Sequence, residues 1–326
     1  MGPFDELMNR MRAFQESRAL LTAVELDLFT AVGQGATARE AAARLQTDAR
    51  ATEMLLNALT SLGVLAKHDG VFRDTPLVAQ YFAAGSPDNA RLATMHIVHL
   101  WDSWSTLTEC VRAGTSVARK TVAERGADWT EAFIAAMDRN AHARAPLVVK
   151  AVGTDGIRKM LDLGGGSAAY SIAFAKASPQ LHAEVLDLRA VLPLTERYIG
   201  EAGLGDRVKT RPGDFTKDPF GQGYDLILAS AICHMLGPDE NRDLFRKSFE
   251  ALAPGGRLVV QDFILAPDKT APPMAALFAL NMLVGTKNGS AYSQPEYDGW
   301  LREAGFQDVR HVPLEVPAEL MVAAKK

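Results

Sequence analysis

Arg158 to Asp187 reads R-K-M-L-D-L-G-G-G-S-A-A-Y-S-I-A-F-A-K-A-S-P-Q-L-H-A-E-V-L-D, and the fold is decided here. A short apolar run, Met160 to Leu163, enters three glycines, Gly164 to Gly166. A helical pattern follows, with Tyr170, Ile172, Phe174 and Ala175 at its larger or buried-type positions. A second apolar run, Ala183 to Leu186, ends on Asp187. Strand, glycine turn, helix, strand, acid is the order of a nucleotide-binding unit. Gly164, Gly166 and Ala169 keep the G-x-G-x-x-G/A spacing, and Asp187 lies about 20 residues on, where a carboxylate accepts from ribose hydroxyls. Glycine lacks a Cβ, so the turn reaches positive φ and the backbone lies close to a ligand. A tight turn without a ligand would use the same glycines but would not call for the trailing acid.

Asp162 narrows the choice of nucleotide. A carboxylate two residues before the first glycine crowds the diphosphate of a nicotinamide cofactor, which is held by bare amides at a helix N-terminus. It suits S-adenosylmethionine, which carries an ammonium and a sulfonium and no phosphate. Later elements agree. Arg207 to Thr210 reads as a third strand, followed by Pro212-Gly213-Asp214-Phe215, an acid and a ring suited to an adenine amino group and face. Tyr224 to Ala229 is a fourth strand ending at Ser230, and Gly256 to Asp262 a fifth. Ligands of such sheets bind at the carboxyl ends of the strands. Asp162, Asp187, Asp214, Ser230, His234 and Asp262 are all expected at or just past those ends.

The chain has 326 residues, enough for about two domains, with 48% hydrophobic and 23% charged residues. Its net charge of −4 points away from nucleic acid and anionic membrane as main partners. Cys110 and Cys233 stand far apart, which disfavours a disulfide framework or a zinc site, and no metal is expected. The N-terminus has no apolar signal core, and no run reaches about 18 apolar residues. A cytoplasmic enzyme is the expectation.

Residues 4 to 33 are helical in pattern, with Leu20, Leu21, Val24, Leu28 and Phe29 on one face. Thr37-Ala38-Arg39-Glu40 fits a capping box, and Thr47-Asp48 caps a helix to Leu62 with Met54, Leu55, Ala58 and Leu59 inward. His68-Asp69-Gly70 joins two short strands as a hairpin. This is a winged-helix order, placed at residues 1–90. Residues 1 to 100 carry nine basic and eleven acidic side chains, and the would-be recognition helix has one arginine against two acids. DNA binding depends on a basic surface, so dimerisation or packing is the better use, and the apolar first helices suit a partner chain. A ligand-sensing regulator remains the rival from outside enzymology.

Residues 91–326 form the second domain, with a helical part at 91–150. Phe133 and Met137 repeat on one helical face there, and Met274, Leu277, Phe278, Leu280, Met282 and Leu283 make a later helix apolar almost all round. Core packing explains such stripes. Phe133, Met137, Met274, Phe278 and Met282 are also the candidates for an apolar substrate pocket. Val309 to Leu314 and Glu319 to Ala324 read as final strands.

With L-D-L-G-G-G, the Asp187-Leu188 pair, G-D-F at Gly213 to Phe215, and His234 followed by G-G-R-L-V-V-Q-D, the chain resembles the metal-independent small-molecule O-methyltransferases. These are the enzymes of plant and bacterial natural products, acting on caffeate, flavonoids, acetylserotonin and polyketides. The resemblance covers essentially the whole length. It implies an α/β fold: a Rossmann-like seven-stranded methyltransferase sheet with an antiparallel last strand, and an N-terminal winged-helix domain that makes a homodimer. It implies S-adenosylmethionine as cofactor, S-adenosylhomocysteine (SAH) as product, and a hydroxyl of a small aromatic metabolite as acceptor. On it, Gly164, Gly166, Asp187, Leu188, Gly213, Asp214, Phe215 and Ser230, with Asp162, line the cofactor site; His234 is the general base and Asp262 orients it. The family's His-Asp-Trp reads His234-Met235-Leu236 here, and its second orienting acid falls near Ala291-Tyr292, where no acid stands. Relatives of this fold that perform C-methylation or hydroxylation are the alternative.

Overall fold

The computed structural model describes residues 2–326, and the chain divides into two compact units, one up to Trp101 and one from Asp102 on. The first unit holds helices α1 (Pro3–Arg12), α2 (Phe14–Glu25) and α3 (Leu28–Val32), strand β1 (Ala36–Thr37), helices α4 (Ala38–Leu45) and α5 (Ala49–Ser61), the hairpin β2 (Leu65–His68) and β3 (Val71–Asp74), and α6 (Pro76–Phe82). The long helical pattern at the start is broken into three helices. Asp27 makes the second break at φ 60, a conformation Asp tolerates. Thr37 and Glu40 form the expected capping box, with Glu40 N to Thr37 Oγ1 at 3.3 Å.

Two expectations in this unit need correction. Leu59 is buried and Leu55 half-buried on α5 as expected, but Met54 and Ala58 are exposed, and Thr52 and Leu56 complete the buried face. The face is rotated toward Leu56, which joins Leu28, Leu59 and Phe72 in a tight core. The unit boundary also falls later than residue 90, inside α7 (Arg91–Trp104). Arg91 Nε donates to the Val24 carbonyl at 3.1 Å, and Met95 packs on the first core, so the start of α7 belongs with the helices before it.

The second unit continues with α8 (Leu107–Ala113), α9 (Val122–Arg125) and the long α10 (Ala127–Val152). Strands and helices then alternate: β4 (Lys159–Leu163), α11 (Ala169–Ala177), β5 (His182–Asp187), α12 (Leu192–Glu201), β6 (Val208–Pro212), β7 (Tyr224–Ser230), a 3-10 turn (Cys233–Met235), α13 (Pro238–Ala251) and β8 (Leu252–Asp262). The chain closes with α14 (Pro273–Gly285), α15 (Gln294–Glu303), β9 (Gln307–Val312) and β10 (Glu319–Ala324). The seven-stranded sheet has the order β6-β5-β4-β7-β8-β10-β9, and only β10 runs antiparallel to its neighbours. The strand order reverses between β4 and β7, which opens a crevice at their carboxyl ends. Strand β8 begins at Leu252, earlier than the run from Gly256, because Leu252 already pairs with Tyr224 and the register shifts afterwards.

Side chains alternate across the sheet. Leu161, Leu163, Ile227, Ala229, Leu258 and Val260 pack on one face. Met160, Val185, Leu226, Leu228 and Val259 pack on the other, against α11 and α10. No helix of the described residues is long and apolar enough to cross a membrane.

Leu56 is fully buried in the first core while Met54 on the same helix is exposed. Replacing Leu56 by Ala should lower the unfolding free energy by about 2–5 kcal/mol, the cost of a core cavity. Urea unfolding would measure it; a loss below 1 kcal/mol, on the order of a surface change, would contradict this assignment of the buried face.

Candidate active site

The glycine turn is built by crowding as much as by flexibility. Gly164 and Gly166 have φ of +61° and +57°. A Cβ on Gly164 would lie 3.0 Å from Ile232 and 3.3 Å from the Phe215 ring. Gly165 has no positive φ, yet a Cβ there would stand 2.8 Å from both the Asp162 carboxyl and Val185. At Gly213 it would meet Leu186 at 2.5 Å. The backbone therefore lies flat on the ends of β4 and β5. Asp187 is 9% exposed and fastens the turn: Gly166 N donates to its Oδ2 at 2.8 Å and Leu188 N to its Oδ1 at 2.7 Å. Burial raises the Asp187 carboxyl, and these two amide bonds oppose the shift. Leu188 beside it is 38% exposed.

Asp162 is not at the crevice mouth. It is the fourth residue of β4, 1% exposed, and faces α11, because alternation sends it to the side opposite Leu161 and Leu163. Ser171 Oγ donates to its Oδ2 at 2.8 Å, while its Oδ1 is buried without a partner. Burial pushes this carboxyl up to about 7; the Ser171 bond opposes the shift and nearby Asp187 adds to it. Oδ1 is thus a solvent-shielded acceptor with an unused lone pair, lying under a bare backbone turn.

His234 lies on the 3-10 turn after β7, 6% exposed. Its Nδ1 is 2.6 Å from Asp262 Oδ1. A carboxylate oxygen accepts, so Nδ1 carries the hydrogen and Nε2 keeps its lone pair. Asp262 ends β8 and takes three further donors: His234 N at 3.1 Å, Phe263 N at 2.8 Å and the Tyr297 hydroxyl at 3.1 Å. Tyr297 is fully buried, and that burial, with Asp262 beside it, raises its phenol well above the ordinary value. Among the described residues the carboxylate paired with the imidazole is Asp262, and residues 291 and 292 supply no second one: Ala291 packs with Leu265 and Ala275, and the Tyr292 hydroxyl donates to the Leu236 carbonyl at 2.5 Å. From behind, Ser290 N donates to the His234 carbonyl at 2.9 Å, and a Cβ on Gly289 would collide with that carbonyl. In front, Phe278 of α14 meets the imidazole edge-on at 4.7 Å between centroids and lies 4.4 Å from Phe263.

The remaining candidates divide. Phe215 lies against Gly164, on the wall the turn faces. Asp214 uses Oδ1 for the Thr216 amide and hydroxyl, at 3.0 and 2.6 Å, and Oδ2 for Lys217 at 2.9 Å, so it caps its own turn. Burial raises its carboxyl, and the Thr216 and Lys217 contacts outweigh that to leave it lowered. Ser230 donates to Gln261 Oε1 at 2.5 Å, the atom that also accepts from Tyr170 at 2.9 Å. Of the pocket candidates, Phe278 reaches the imidazole and Met282 is buried on the same helix. Met274 is 41% exposed at the start of α14, and Phe133 stacks on Trp129 at 5.1 Å. Met137 is half-buried on α10.

Gly165, Ser171, Gln261 and Tyr297 escaped the sequence reading. Gln261 had a signal, a polar residue interrupting the apolar run V-V-Q-D. Tyr297 had none, because its bond to Asp262 spans 35 residues.

A seven-stranded sheet with one antiparallel strand, and a glycine turn laid over a buried acid at its switch point, define an S-adenosylmethionine-dependent methyltransferase. The O-methyltransferase domain family matches residues 104–307 and its dimerisation domain residues 8–84, and the chain belongs to this O-methyltransferase family. It is 34% identical over 317 residues to a 3-hydroxy-5-methyl-1-naphthoate 3-O-methyltransferase of Streptomyces sahachiroi, covering 95% of this chain and 91% of the relative. It is 29% identical to an L-tyrosine C(3)-methyltransferase of Streptomyces lavendulae, covering 94% and 86%. Among solved structures, PigF with SAH (PigF is known from Serratia sp.) superposes with a TM-score of 0.91 at 28% identity over all of both chains.

The raised Asp162 carboxyl has a consequence for stability. Its folded pKa of about 7 exceeds the ordinary 3.8, so the folded state holds the proton more tightly. The stability this group contributes is full below about pH 4 and is lost as pH rises towards about 7. Asp162→Asn should therefore flatten the dependence of unfolding free energy on pH across this window, read by urea titrations at several pH values. Parallel profiles for wild type and variant would remove Asp162 as the source.

Proposed function

We propose that this enzyme methylates a hydroxyl of a small aromatic metabolite, with His234 as the general base. The observation that carries this reading is the chain Tyr297–Asp262–His234, which fixes Nδ1 of an imidazole packed against the Phe278 ring and leaves Nε2 outside that chain. When bound, S-adenosylmethionine supplies a methyl already activated by its sulfonium. His234 Nε2 would take the acceptor's hydroxyl proton as that oxygen receives the methyl, the leaving electron pair staying on the thioether product. Asp262 holds the imidazole in the orientation this needs. Much of the remaining barrier is met by orientation of the two reactants.

In this reading Asp187 accepts from the ribose hydroxyls, Asp162 from the ammonium through the turn, and Phe215 flanks the adenine with Gly164, Gly166, Gly213, Leu188 and Ser230 nearby. Asp214 has its oxygens engaged within its own turn, so it offers the adenine its remaining lone pairs only. Phe278 and Met282 wall the acceptor. The naphthoate specificity in one relative's name supports a fused aromatic acceptor. The L-tyrosine C(3)-methyltransferase supports methylation at carbon as the second outcome. The first unit would pair two copies: Phe4, Leu7, Met11 and Phe14 expose apolar side chains there, and its helices carry no basic face.

Incubation with methyl-labelled cofactor and a panel of hydroxyarenes, with the product mapped by mass spectrometry and NMR, tests the acceptor. Label on carbon alone would overturn the hydroxyl. His234→Ala should lower turnover by about 10²–10⁴-fold while SAH affinity stays within twofold, roughly 0.4 kcal/mol. Wild-type turnover in that variant would leave proximity as the source of the rate. Asp187→Ala removes charge-assisted bonds of about 1.5–3 kcal/mol each, so SAH affinity in calorimetry should fall at least tenfold, about 1.4 kcal/mol; unchanged affinity would displace the ribose from Asp187.

A further inference from the structure

One inward-facing arginine has no anion. Arg144 lies on α10, half-buried, with its guanidinium carbon 5.4 Å from the centre of the Phe263 ring. The other arginines that point inward in this unit are hydrogen-bonded. Arg207 donates to the carbonyls of Ala175 and Ser178, Arg257 to that of Val152, and Arg211 pairs with Glu184. Arg144 has only the ring face and no carboxylate partner among the described residues.

Its location is the carboxyl edge of the sheet. Phe263 directly follows Asp262, and its ring centre is 6.5 Å from that of His234. The guanidinium is therefore at most about 12 Å from the imidazole. On its other side its charge reaches the Tyr170 phenol, whose hydroxyl donates to Gln261 at the end of β8. Ile134, earlier on the same helix, lies over Gly166. Arg144 thus stands between the cofactor turn and the base. A guanidinium presents a planar fork of donors that matches a carboxylate.

We propose that Arg144 is a carboxylate receptor of the active site. This rests on the reading of the site as one for S-adenosylmethionine and an aromatic hydroxyl. Two molecules there can bring the carboxylate: the aminoacyl end of the cofactor, or an acceptor that is a hydroxy acid. A ring hydroxyl on His234 and a ring carboxylate on Arg144, each with a hydrogen bond of about 2.8 Å, can span a separation within the upper bound of about 12 Å. The ring face of Phe263 holds the guanidinium in place and leaves its edge for the anion.

The test is binding, so it is readable whether or not methylation at oxygen is ever found. Wild type, Arg144→Ala and Arg144→Lys are titrated calorimetrically with two ligand pairs. SAH and 5′-methylthioadenosine differ by the aminoacyl group. With SAH present, 3-hydroxy-1-naphthoate and its carboxamide differ by the carboxylate. Arg144→Ala should weaken the carboxylate-bearing member of one pair by about tenfold or more and leave the other member unchanged. Arg144→Lys should recover part of the loss. The pair that responds identifies the source. No change in either pair, or an equal loss for both members of a pair, would overturn the proposal and make Arg144 a prop for Phe263. Thermal melting of both variants confirms that they are folded.

Discussion

The absence of a Cβ at Gly165 is the constraint on which the rest depends. The turn can lie on the sheet only because nothing stands between it and the buried Asp162 carboxyl. That contact brings Gly166 N within 2.8 Å of Asp187, which ties the end of β4 to the end of β5. With those two strand ends closed together, the crevice opens on the side of β7 and β8. The imidazole, Asp262 and the aromatic wall occupy that side. The same closeness that shapes the turn also shields Asp162 from solvent and leaves its Oδ1 buried without a partner.

The His234 imidazole is supported mainly by neutral groups acting through Asp262. Asp262 takes four donors, three of which come from backbone amides and the Tyr297 hydroxyl rather than from the imidazole. A second carboxylate would bring another charge into a buried site, which is costly without a partner. A phenol held well above its ordinary pKa stays a donor and fixes Asp262 without that charge. Where the family resemblance places an acid, residues 291 and 292 are Ala and Tyr, and Asp262 is held by the Tyr297 hydroxyl and backbone amides.

Much of this was legible in the sequence. The glycine spacing, the apolar runs of β4, β5, β7 and β8, and the capping box at Thr37 each depend on neighbours a few residues away, and all appear in the structure. What failed was local phase: Met54 was placed inward on α5, and Asp162, though at the end of β4 as expected, is turned by alternation to the α11 face. What stayed hidden was pairing over long separations. Nothing in the residues around Tyr297 or Arg144 announces Asp262 or Phe263, because the sheet topology alone brings them together.

The segment Thr286 to Ser290 joins the back of the imidazole turn to the helix that forms its front wall. Ser290 holds the His234 carbonyl, Gly289 leaves no space beside it, and α14 before them carries Phe278 against the ring. Back and front are therefore parts of one short length of chain. A substitution in α14 that moves Phe278 also pulls on the backbone that seats the imidazole. If α14 walls the acceptor and His234 is the base, acceptor range and turnover are coupled, and a change in one calls for a compensating change in the segment behind it.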